Sequence, residues 1–95
     1  MERVYDKEAL SARVLGQEAY HTPLQDKKAV RAFFRLLWFD LNLDFNPDDD
    51  FAGYGVFTDE AAALLNARMD EAFRLMGDNV HDEALRVMQE EPPKA

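Results

Sequence analysis

Ninety-five residues, 47% of them hydrophobic and 32% charged, describe one soluble globular domain, and a chain of this length buries only roughly 60–65% of its unfolded surface. The absence of cysteine excludes disulfides, thiolate metal sites and a cysteine nucleophile. A formal net charge of −8 argues against direct nucleic-acid binding through phosphate neutralisation. No signal-peptide pattern opens the chain and no apolar run approaches ~18 residues, which predicts a cytoplasmic protein with no membrane partner.

Taken in order, residues 6–20 read as a helix whose apolar pattern is smeared and interrupted by Gly16. The next helix spans about 24–41, with Pro23 near its first turn. Its apolar set, among it Ala29, Val30, Phe33, Phe34, Leu37, Trp38 and Leu41, covers roughly 200° of the wheel. That is wider than one packing partner requires, so the helix is either central to the core or also part of an oligomer interface. Phe39 lies off this arc. Residues 42–57 form a long connection, expected to be tethered as a packed loop by Leu43, Phe45, Phe51, Tyr54, Val56 and Phe57. Helix 59–76 is the clearest element. Thr58 is its N-cap, Asp59 and Glu60 suit the positive end of the dipole, and Gly77 is its stop. A shorter helix follows over 78–90, capped by Asp78 or Asn79, and residues 91–95 read as a frayed tail. The fold class is all-α: a compact four-helix domain with one long structured loop between the second and third helices.

The acidity has a focus. Residues 42–58 hold four acids, Asp44, Asp48, Asp49 and Asp50, and no base. Oxygen-bearing side chains alternate at Asp44, Asn46, Asp48 and Asp50, as in a calcium loop, but the sixth position is Asp49 where glycine belongs, and the twelfth is Gly55 where glutamate belongs. The same alternation suits a turn in which Asp and Asn bond their own backbone. An acidic surface facing a partner is the third reading.

Both histidines follow a carboxylate by three residues, Glu18 before His21 and Asp78 before His81. Interior di-metal sites of helical bundles use that spacing, but both pairs fall at helix ends, where exposed histidines without metal are expected. Two charges break the apolar pattern. Asp40 projects into the apolar arc of its helix and Arg68 into that of helix 59–76. Opposite signs suggest a partly buried ion pair between them, against the alternative that each reaches water. Lys27, Arg31 and Arg35 form a ladder spaced by four, directed either at acidic neighbouring helices of the same chain or simply at water, or else at an acidic partner. One serine, Ser11, and no glycine-rich phosphate loop leave no nucleophile–base arrangement, so neither an enzyme nor a cofactor is expected.

The stretch NPDDDFAGY, Asn46–Tyr54, followed by FTDEAAALLNARMDEAF, Phe57–Phe73, resembles segments of small uncharacterised bacterial proteins, some from mobile elements. The resemblance implies that loop and capped helix form one recurring unit, and it carries no activity or site residues. The residues themselves favour a non-enzymatic protein–protein interaction or regulatory module, as a homodimer or with a protein partner. Its expected binding residues are Phe34, Trp38, Phe39, Phe51 and Tyr54, because aromatic anchors ringed by charge concentrate interface energy. A calcium-responsive module built on Asp44, Asn46, Asp48 and Asp50 is the alternative. An acidic decoy of a basic nucleic-acid-binding surface ranks third.

Overall fold

The computed structural model describes residues 6–90. The expected tail at 91–95 lies outside them. Four α-helices occur in this span, α1 (Lys7–Gly16), α2 (Lys27–Arg35), α3 (Asp59–Met76) and α4 (Asn79–Met88), and no strand occurs among the described residues. Helix α3 is the hub. It packs against α1, α2, α4 and the loop, while α2 also packs on α4. The radius of gyration, 12.5 Å, is that of a single packed body of this length.

Helix α3 has both of its expected ends. The Thr58 hydroxyl accepts from Ala61 N, and Gly77 turns the chain out at φ 58° and ψ −135°, a backbone conformation that glycine adopts without a Cβ clash. The other boundaries shift for physical reasons. Helix α1 opens with Asp6, whose carboxylate accepts from Glu8 N and Ala9 N at 3.1 Å each. It ends at Gly16 because Gln17 is extended, and one 3₁₀ turn, Glu18–Tyr20, follows. The break turns Tyr20 fully into the core. Helix α2 starts at Lys27 rather than near Pro23. The Asp26 carboxylate caps it through Ala29 N at 2.8 Å, and Leu24 N is taken by Glu71 on α3 at 2.9 Å. Asp78 stands at the cap position of α4 without a side-chain cap bond.

Past Arg35, α2 widens into a π turn over Leu36–Asp40, where Leu41 N bonds Leu36 O at 3.0 Å. In this turn Phe39 lies half under cover, 6.5 Å from the Trp38 ring. Asn42, at φ 55°, then redirects the chain, a left-handed position that asparagine tolerates. In the loop, Leu43, Phe45, Phe51 and Phe57 are buried, with Tyr54 and Val56 half-buried. That is the expected tethering, with a 3₁₀ turn at Phe51–Tyr54.

The expected Asp40–Arg68 pair does not form, because the two side chains face different neighbours. Asp40 reaches α1: its Oδ1 accepts from Arg13 Nε (2.9 Å) and Nη2 (2.7 Å), and its Oδ2 from the Tyr20 hydroxyl (2.6 Å) and Gln17 Nε2 (3.4 Å). Arg68, 11% exposed, donates to His21 O at 2.7 Å and to Glu71 Oε2 at 3.1 Å. Arg68 and Glu71 together clamp the α1–α2 connection onto α3. Arg68→Met keeps the apolar stem and removes the head, leaving the Glu71 charge partly buried. The variant is expected to lose about 1–2 kcal/mol in urea denaturation, and an unchanged midpoint would show that the clamp contributes nothing.

Candidate functional site

The expected aromatic docking face is the core of this chain's own fold. Phe34 and Phe51 are fully buried and Trp38 is 8% exposed. Phe34 packs on Phe45 with ring centroids 5.3 Å apart, and Phe51 on Phe57 at 6.3 Å. The wide arc of α2 is therefore occupied by α3, α4 and the loop together, and side chains so enclosed are not a docking surface. Phe39 and Tyr54 remain half-exposed. The Tyr54 hydroxyl, 2.6 Å from the Asn46 N–H that donates to it, holds the loop closed, and burial raises its pKa.

What the core leaves outside is the acidic loop. Asn46 and Asp50 order it. Asn46 Oδ1 accepts from Asp48 N at 3.0 Å, an Asx turn. Asp50 Oδ1 accepts from Ala52 N at 2.9 Å, capping the 3₁₀ turn, and from Asn66 Nδ2 at 2.7 Å. These two bonds, the backbone one foremost, hold the Asp50 carboxyl below its ordinary value. Asn66 Oδ1 in turn accepts from Phe51 N at 2.9 Å, so one amide on α3 grips the loop with both its atoms. On the wheel Asn66 counts as a solvated position. The available signal was an asparagine inside a helix, where its propensity is poor.

Between the pinned loop and α3 lies an open groove of about 390 Å³. Asp48, Asp49 and Asp50 from the loop and Asp70 from α3 line it with carboxylates, while the half-buried Phe73 supplies apolar surface and Pro47 and Met69 line it as buried residues. No lysine or arginine lines it. The loop is also tied to α4, where His81 Nε2 lies 2.8 Å from Asp48 Oδ1 and the imidazole meets the Phe73 ring at 5.8 Å.

The four oxygen-bearing residues of the calcium reading are not gathered. Asn46, Asp48 and Asp50 each spend an oxygen on a donor within the chain, Asp44 is exposed, and among the described residues no group of three or more His, Cys, Asp or Glu is placed to hold a metal ion. Comparison with known protein families, curated proteins and solved structures finds no match to this chain. No helix among the described residues is long and apolar enough to cross a membrane.

The basic ladder is used internally. Arg31 pairs with Glu83 on α4 at 3.0 Å and Arg35 with Glu90 at 3.1 Å. Glu83 is 5% exposed, a buried acid that the sequence pattern does not reveal. Ser11 is also buried and accepts from Thr58 N at 2.8 Å, tying α1 to the start of α3.

Proposed function

We propose that the chain is a non-enzymatic protein–protein interaction module whose docking surface is the acidic groove between loop and α3, taking a basic segment of a protein partner. One observation carries this reading: exposed aspartates from two elements converge on a groove that also offers apolar lining and has no lysine or arginine in it. A segment carrying arginine or lysine beside a large apolar side chain complements both features, the charge steering encounter and the apolar contact adding affinity. The loop is held by Asn66 and Tyr54 before any partner arrives, which lowers the ordering cost of binding.

A protein this acidic attracts polycations everywhere, so the test compares positions at equal net charge. The probe is a blocked Arg-Leu-Arg-Leu-Arg peptide, followed by amide chemical shifts. Shifts are expected at Asp48–Asp50 and along Asn66–Phe73. Asp49→Asn with Asp70→Asn is expected to weaken binding about fivefold at low salt. Asp59→Asn with Glu60→Gln, which removes two exposed acids outside the groove, should change it less than about twofold. Equal losses in the two variants, or shifts scattered over the surface, would reduce the groove to ordinary surface charge.

A further inference from the structure

We propose that His81 is a protonation-controlled latch on the acidic groove: as imidazolium it holds Asp48 against α4 through a charged hydrogen bond, and as neutral imidazole, left with at most an uncharged bond to Asp48, it yields that carboxylate more readily to a cationic partner. The inference rests on the groove reading above and adds its regulation.

The geometry is that of the charged ring. Nε2 of His81 lies 2.8 Å from Asp48 Oδ1, and Nδ1 lies 3.3 Å from the Asp78 carbonyl oxygen. A carboxylate and a carbonyl only accept, so both contacts are hydrogen bonds only when both ring nitrogens carry protons. Either neutral tautomer loses one of them. The third neighbour is Phe73 of α3, whose ring meets the imidazole at 69°, and Phe73 and Asp48 both line the groove. His81 thus sits behind the groove and touches it from two sides.

The charged groups acting on His81 are Asp48 from the loop and Asp78 from the start of its own helix, while α3 presents the uncharged Phe73 ring. Both acids favour the cation. The Asp48 bond first, then the Asp78 carbonyl, raise the His81 pKa above its ordinary 6.5. A raised folded-state value means that the latch is fully made below pH 6.5 and is lost as pH rises through the folded value. A cationic partner competes with His81 for Asp48, so its affinity rises across the same window.

The test uses the full chain in the His21→Gln background, which leaves His81 as the one imidazole in the chain, at fixed ionic strength. In the free protein, the His81 ring signal and the Asp48 amide are expected to titrate with one inflection above pH 6.5. Affinity for the Arg-Leu-Arg-Leu-Arg peptide is expected to rise about threefold from pH 5.5 to pH 8. With His81→Gln added, affinity should become flat with pH and equal to the pH 8 value. Separate inflections for His81 and Asp48 overturn the latch, as does an identical pH dependence with and without His81. Groove residues that ignore the peptide at both pH values overturn the groove reading and the latch with it. Groove binding that is insensitive to His81 overturns the latch alone.

Discussion

Phe34→Ala is expected to destabilise the fold by about 3–5 kcal/mol rather than to dissolve an assembly. The ring is fully buried, with centroids 5.9 Å from Phe33 and 5.3 Å from Phe45. Its truncation leaves a void between α2 and the loop that close-packed neighbours fill only in part. A domain this small has ~5–15 kcal/mol in total, and each kcal/mol moves its midpoint by about 4–8 °C. A fall of at least about 12 °C follows. Urea titration read by far-ultraviolet dichroism, alongside sedimentation of the native protein, separates the two roles. A variant with unaltered stability and a halved mass would restore Phe34 to a docking face and remove it from the core.

This outcome turns on what helical periodicity can say. The 200° arc of α2 was legible in the sequence, and so was the choice it posed between a central core helix and an interface helix. Within the chain the arc is covered by α3, α4 and the loop, which supplies Phe45 to Phe34. The tethering residues of the loop were themselves readable, because an aromatic residue in a long connection has few places to go but inward. Helix α3 was readable at both ends because Thr58 and Gly77 act on their own backbone, within three or four residues. The connection between α1 and α2 was not, because its residues are held by distant ones: Glu71 takes Leu24 N, and Asp40 takes the Tyr20 hydroxyl.

The candidate site divides in the same way. An acidic focus over 44–50 was plain from charge alone. Its shape was not, since the groove exists only where Asp70 and Phe73 of α3 come opposite the loop, and where Asn66 and His81 fasten it. Asp40 and Arg68 stood out in the sequence as charges on apolar faces. A wheel gives the angular position of a side chain on its own helix and says nothing of which element lies opposite. The weak amphipathicity of residues 6–20 concealed Arg13 of α1 and Tyr20 of the 3₁₀ turn, partners that Asp40 takes. The basic ladder illustrates the converse: Arg31 meets Glu83 of α4 and Arg35 meets Glu90 just beyond it, the simpler of the two readings, leaving the acidic groove without a matching stripe at those positions.

Asp40 carries the second large effect. Asp40→Ala is expected to cost about 3 kcal/mol, most of it through Tyr20. Tyr20 is fully buried and its hydroxyl donates to Asp40 at 2.6 Å. Without that acceptor a buried donor is orphaned, which costs ~1–3 kcal/mol. The Arg13 bonds add less, because Arg13 is 53% exposed and water screens the pair. Combining Asp40→Ala with Tyr20→Phe removes donor and acceptor together, so the double variant should lose about 1–2 kcal/mol less than the two single losses added. The carboxyl also reports through pH. Burial alone would raise its pKa, but the bonds from Arg13 and Tyr20 outweigh it and hold the value below the ordinary 3.8. A depressed value places the stabilisation above pH 3.8 and removes it as pH falls through the folded-state value. The native chain should therefore lose stability more steeply below pH 4 than Asp40→Asn, whose amide accepts from Tyr20 or Arg13 without titrating. Amides of Leu36–Leu43 should exchange faster in both variants, because the π turn is held against α1 at Asp40. Parallel acid-unfolding curves for the native chain and Asp40→Asn, with an Asp40→Ala loss under about 0.5 kcal/mol, would mean that α1 is kept in place by the packing of Val14 and Ser11 alone.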